Sequence, residues 1–206
     1  MALSVLNDYP LKELTSWKVG GEAQHYCAPS SRDEVWEALE WASDQGVSYT
    51  LLGGGTNVLV SDTGIAGLVI HTHQLKDVST ELRDNHWVIH AQGGALKSEV
   101  LKVFLKHRLE PAIFLAGLPG DMAGGVVMNA GVGHRGTPKD FSEIVDSFEV
   151  IWLSETGERK SETYSKEQVQ WFYRKSSGWH QGVITQVTVS WPNDYDESVL
   201  ERLREG

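Results

Sequence analysis

The chain has 206 residues, 40% of them hydrophobic and eight of them tryptophan, enough to fill the core of one large domain or two small ones. Its 18 Lys and Arg stand against 28 Asp and Glu, a net charge of −10. That is the wrong sign for a face that neutralises nucleic acid, so a phosphorylated ligand would have to be met by backbone N–H groups or a few placed cations.

Neither a signal-peptide pattern nor an apolar run of membrane-spanning length occurs, and the single cysteine, Cys27, has no disulfide partner and no zinc-ligand spacing around it. We expect a cytoplasmic monomer with no structural metal, no nucleic-acid partner and no membrane partner.

The first helix is predicted over "SSRDEVWEALEWASDQG". Ser31 with Glu34 is a capping-box pattern, Val35, Ala38, Leu39 and Ala42 recur at helical spacing, and Gly46 stops it. "VSYTLL" follows as a strand, then three glycines, then "VLV" and "GLVIHTH" as two more strands. A composition shift marks a boundary near residue 75, giving one lobe over 1–75 and a second over 76–192. "LKDVSTELRDN" reads as a polar connection, "HWVIHAQGG" as a strand and "LKSEVLKVFLKHRL" as an amphipathic helix opening near Ser98.

"PAIFLAGLPGDMAGGVVMNAGVG" has glycines at 117, 120, 124, 125, 131 and 133, so few side chains protrude, and Asp121 can cap a short helix starting at "DMAGG". "VDSFEVIWLSETGERKSETYS" is a hairpin turning at Thr156-Gly157, and "GVITQVTVSW" is a strand stopping at Pro192. The tail, 193–206, has a helix N-cap at Asn193 or Asp194. It stops after little more than two turns, too short to be stable alone, so we expect it to begin a linking helix of a longer polypeptide.

The stretch "LLGGGTNVLV" poses the first chemical question. A glycine run can adopt positive φ and turn successive N–H groups inward as an anion nest. It is not a P-loop, because Thr56-Asn57 supplies no lysine, and not a Rossmann loop, because no helix follows. The cradle would be turn amides with the Thr56 and Asn57 side chains; the alternative is a tight structural turn.

The second glycine stretch would let backbone approach the face of a flat ligand such as an isoalloxazine or a nucleobase, or else serve close helix–strand packing. In "WFYRKSS", Arg174 offers a planar, permanently charged fork for a carboxylate or a developing enolate, or is a surface arginine beside a core tyrosine. His71 and His73 would share a strand face but lack a third metal ligand.

Four segments stand in order along the chain: "TSWKVGGEAQ", "LLGGGTNVLVSDTGIAGLVI", "AGLPGDMAGGVVMNAG", and "FYRKSS" followed by "GVITQVTVSW". With them the chain resembles the UDP-N-acetylenolpyruvoylglucosamine reductase (UDP-N-acetylmuramate dehydrogenase) family, flavoenzymes of peptidoglycan synthesis. The resemblance implies an α+β, two-lobed FAD-binding fold of the vanillyl-alcohol-oxidase (PCMH-like) type, with FAD as cofactor, NADPH as reductant and a UDP-sugar as substrate.

It places Gly53, Gly54, Gly55, Thr56 and Asn57 around the FAD pyrophosphate and Pro119, Gly120, Asp121, Gly124, Gly125 and Asn129 along the flavin, with Val183 touching the cofactor. Valine at Gly54 is expected to block cofactor retention through lost access to positive φ and a Cβ in the cradle. Arg174 matches the arginine credited with stabilising the enolate formed when hydride reaches the enolpyruvyl double bond, and Tyr173 and Ser176 would orient its guanidinium.

The family's proton donor, a serine in a Gly-Ser-x-Phe-Lys-Asn-Pro motif of a third domain, has no counterpart here, nor has its assisting C-terminal glutamate. FAD binding without turnover is therefore expected. After "MNAG" the family continues with Ala and an aromatic residue before Gly, whereas this chain has Val132, Gly133 and His134, so the flavin's surroundings at that flank are expected to differ. Two competing readings are a flavin-dependent oxidase of the same fold and a non-enzymatic flavin-binding module.

Overall fold

The computed structural model describes residues 3–132 and 138–205. The chain begins with β1 (Leu6–Pro10) and β2 (Glu22–Cys27), crosses through α1 (Arg32–Gln45), and returns as β3 (Tyr49–Leu52) and β4 (Ile65–His71). These make a four-stranded sheet in the order β1-β2-β4-β3, with β2 and β3 both parallel to β4.

Then follow β5 (Val78–Arg83), β6 (His86–Gln92), α2 (Lys97–Lys106), α3 (Pro111–Leu115), α4 (Met122–Val127), β7 (Val145–Leu153) and β8 (Arg159–Ser165). A small hairpin of β9 (Gln170–Phe172) and β10 (Lys175–Ser177), the long β11 (Val183–Pro192) and α5 (Val199–Glu205) complete the chain. The second sheet is five-stranded and antiparallel, ordered β5-β6-β11-β7-β8.

Helix α1 shows how the sequence sets local structure. Ser31 Oγ accepts from the Glu34 N–H at 3.2 Å, one half of the expected capping box. The other half shifts by a residue, because the Glu34 carboxylate accepts from the N–H and hydroxyl of Ser30 rather than from Ser31. Gly46 ends the helix in the left-handed region, φ 65°, and its N–H closes onto the carbonyls of Ala42 and Ser43.

The apolar stripe of α1 packs between the two sheets: Trp36, Leu39 and Ala42 share a core with Leu68 and Ile70 of β4, Ile151 of β7 and Val183 of β11. Arg32 with Glu149 and Arg159 with Glu40 add ion pairs on the outside of the same seam. A second core fills the space between the five-stranded sheet and α2–α4, around Val100, Phe104, Phe114, Phe148 and Val187.

Several expectations are corrected. "VLV" is not a strand: residues 53–64 form the connection between the parallel neighbours β3 and β4, which must climb back along the sheet before the next strand can start. The loop is tied down by Ser16 N–H to the Gly55 carbonyl and Gly21 N–H to the Ser61 carbonyl. The polar connection after residue 75 contains β5, an edge strand whose exposed side chains show no buried alternation. It joins β6 through Asp84-Asn85, both at positive φ, the two-residue turn whose twist suits a hairpin.

Helix α3 is an addition to the predicted elements. At the tail, Asn193 is no N-cap: its Oδ1 accepts from Trp87 Nε1 at 2.9 Å, and α5 starts only after a turn in which Asp196 accepts from the N–H and hydroxyl of Ser198. Asp194 N–H donates to the Pro192 carbonyl, also ahead of the helix. Among the described residues, no helix is long and apolar enough to cross a membrane, and no cluster of three or more His, Cys, Asp or Glu could hold a metal ion.

Candidate functional site

The two glycine stretches, distant in sequence, meet. A Cβ placed on Gly53 would stand 2.1 Å from Asp121 Oδ2, and one on Gly54 would stand 3.1 Å from Gly120 Cα, so the lack of side chains at 53 and 54 lets the β3–β4 loop lie this close to the Pro119–Asp121 turn. Left-handed backbone is needed at Gly55 (φ 65°) rather than at Gly54, where the sequence reading put it. A Cβ on Gly55 would also collide with the Leu14 carbonyl, 1.9 Å away.

Asp121 holds the junction. It caps α4 as expected, accepting from the Gly124 N–H at 2.6 Å, and its other oxygen accepts from the Gly54 N–H.

This junction borders a cavity of about 550 Å³. Of the predicted residues, Gly53, Gly54, Gly55, Thr56, Asn57, Pro119, Asp121, Gly124, Val183 and Arg174 line it. Three others lie off its wall. Gly120, at φ 88°, faces the Thr56 hydroxyl. Gly125 backs onto Phe141, whose ring atoms would be 2.2 Å from a Cβ there. Asn129 is 4% exposed, with Nδ2 donating to the Phe172 carbonyl and Oδ1 accepting from the Ser142 N–H, so its side chain ties α4 to β9. Gly133 and His134 lie outside the described residues.

Arg174 sits at the tip of the β9–β10 turn, itself at φ 56°, with its guanidinium carbon 5.1 Å from the centroid of the Tyr173 ring. That stacking is one of the two orienting contacts anticipated. The other is corrected: Ser176 is buried, accepting from Trp179 Nε1 at 3.1 Å and donating to the Val127 carbonyl, and so braces the cavity wall instead of the arginine.

The histidines are corrected as well. His71 ends β4 and His73 stands in the one-turn helix after it, their rings 4.0 Å apart, and not on one strand face. His71 is buried between Tyr26, 2.8 Å away, and the Gly53 backbone. Burial first, and His73 second, push its pKa down to about 4, so it braces the glycine loop as a neutral ring.

Of the lining residues that escaped the sequence reading, one is charged. Lys97 opens α2, is 4% exposed, and donates from Nζ to the Pro119 carbonyl at 2.7 Å. Burial pushes its pKa down to about 8, while Asp121 pulls the other way. The signal was its spacing: Lys97, Val100 and Phe104 form the buried stripe of α2, a place where a lysine is uncommon.

The donor set suits a dinucleotide. Among the described residues the amides of Gly55, Thr56 and Asn57 donate to no protein acceptor, and Thr15 Oγ1, buried at the base of the same loop, has no partner. Val127, Trp179, Val183 and Ile184 give the cavity an apolar side against which a flat ring can lie.

The comparisons agree with this geometry. Residues 23–159 match the FAD binding domain family. The chain is 36% identical over 194 residues to the UDP-N-acetylenolpyruvoylglucosamine reductase of Geobacillus kaustophilus, covering 93% of this chain and 60% of that protein. Across the first such curated relatives it spans 39% to 63% of their length.

The crystal structure of the UDP-N-acetylenolpyruvylglucosamine reductase from Thermus caldophilus superposes with a TM-score of 0.72 at 25% identity, over 100% of this chain and 68% of that one. CrmK, a flavoenzyme of caerulomycin biosynthesis, matches with a TM-score of 0.67 at 17% identity, over 92% of this chain and 40% of its own, and shows the fold alone. The chain therefore belongs to the FAD binding domain family, has the FAD-binding fold of the vanillyl-alcohol-oxidase type, and is similar to the flavin-binding portion of the UDP-N-acetylenolpyruvoylglucosamine reductases.

Proposed function

We propose that the chain is the flavin-holding portion of an FAD-dependent, NADPH-using oxidoreductase that reduces UDP-N-acetylglucosamine enolpyruvate to UDP-N-acetylmuramate in cytoplasmic peptidoglycan synthesis. The observation that carries this is the cavity walled by both glycine stretches with Arg174 on its wall. Residues 1–75 and 76–192 would be its two lobes and 193–206 the start of the link to the part that holds the UDP-sugar; the unit would be monomeric.

When bound, FAD would supply the hydride-transfer chemistry that links NADPH to the enolpyruvyl double bond. The chain's own residues would hold the cofactor and the substrate carboxylate. Gly55, Thr56 and Asn57 would hold the pyrophosphate through their amides, and the apolar side of the cavity would fix the ring plane and exclude water. Arg174 would hold the substrate carboxylate and take up the negative charge that develops on it. The proton donor would come from the remainder of the enzyme, so the chain alone would bind flavin without turning over.

The test uses the chain joined to the C-terminal portion that the family carries. Arg174→Ala should keep its flavin yet slow sugar-nucleotide-dependent reoxidation of the NADPH-reduced enzyme by about 10²- to 10³-fold. An unchanged rate would remove Arg174 from the reaction.

A further inference from the structure

The glycine loop carries no cation of its own, since Thr56 and Asn57 stand where a P-loop has its lysine. The fold brings one from α2. Lys97 lines the same cavity as Thr56 and is 4% exposed. A Cβ placed on Gly120 would stand 3.4 Å from Lys97 Nζ and 2.7 Å from Thr56 Oγ1, so the ammonium and the glycine loop converge on one spot.

An ammonium has three N–H donors, and the Pro119 carbonyl takes one. Among the described residues no carboxylate forms an ion pair with it: Asp121, the acidic group that acts on it, is engaged by the amides of Gly54 and Gly124. The Phe141 ring, its centroid 5.5 Å away, offers only a weak cation–π contact. A cation so far out of water is retained at a cost unless an anion meets it, and in a chain of net charge −10 it is placed where an anionic ligand would otherwise face only dipoles.

We propose that Lys97 is the cationic ligand of the cofactor's pyrophosphate, reaching the glycine loop from a different element as a P-loop lysine reaches its phosphates from within. This rests on the reading of the cavity as an FAD site. Among the described residues, the charged groups that line the cavity with Lys97 are Asp121, at the N-cap of α4 and acting on the ammonium, and Arg174. With the ammonium pushed down to about 8 in the empty site, FAD affinity is full below that pH and falls as pH rises through it, and a bound anion moves the fall upward.

The experiment titrates the flavin-free chain with FAD, and with riboflavin as the flavin that lacks phosphates, by fluorescence quenching. Lys97→Gln, which keeps a donor for Pro119, and Lys97→Met should weaken FAD binding roughly 10- to 100-fold and flatten its salt dependence, leaving riboflavin binding unchanged. In the wild type, FAD affinity should fall between about pH 7 and about pH 9.5, a readout that needs no variant.

Unchanged FAD affinity in both variants, or a flat wild-type pH profile, overturns the assignment. Equal loss of FAD and riboflavin makes Lys97 a structural prop and overturns it too. Unchanged FAD affinity with a lowered flavin midpoint potential moves the charge to the ring and rejects the phosphate assignment. A wild type that binds neither flavin defeats the reading of the cavity itself.

Discussion

Gly55 carries a constraint that its two glycine neighbours do not. It stands at φ 65° with the Leu14 carbonyl 1.9 Å from where a Cβ would be, whereas a Cβ on Gly54 would stand 3.1 Å from Gly120 Cα, a contact relieved by a shift of a few tenths of an ångström. Gly55→Ala should therefore destabilise the chain by about 2 kcal/mol, combining left-handed strain with a backbone clash, and should abolish flavin retention. Gly54→Ala should cost clearly less, both variants being measured by urea titration. Equal losses would mean that crowding, and not the left-handed turn, governs the loop.

At the residue scale the sequence showed the glycine turn at 53–55 and the Asp121 cap, because both depend on neighbours a few positions away. Lys97 was hidden because its meaning depends on Pro119, a contact made only by the fold.

Among the elements, α1 acts on the site without contributing a residue to the cavity lining. Leu39 is 2% exposed in a core that joins β4 of one sheet to β7 and β11 of the other, and Val183, in that core, also lines the cavity. Leu39→Ala should lower stability by about 2–5 kcal/mol and weaken FAD binding with no change to a lining residue. Full affinity in a variant so destabilised would show that the sheets hold their spacing without α1.

This helix was legible because its apolar residues recur at helical period and its caps are local. The same applies to the β7–β8 hairpin and to β11. What misled was period without context. Val58 and Val60 alternate like a strand, yet Val58 and Leu59 are exposed because that stretch must carry the chain back along the sheet. β5 was missed for the opposite reason, since an edge strand open to water needs no apolar alternation and only the Asp84-Asn85 turn betrays it.

The whole molecule meets a charge problem with geometry. An acidic chain brings together turn amides from one sheet's loop, the capped start of α4 and one buried lysine around a single cavity. The placement of that cavity between two sheets was not visible in composition or period, because it depends on α1 holding the sheets apart. The visible absorption spectrum of the chain, taken after incubation with excess FAD and removal of unbound cofactor, tests this most directly. The account predicts a flavin spectrum equimolar with the chain, and a colourless, folded chain would contradict it.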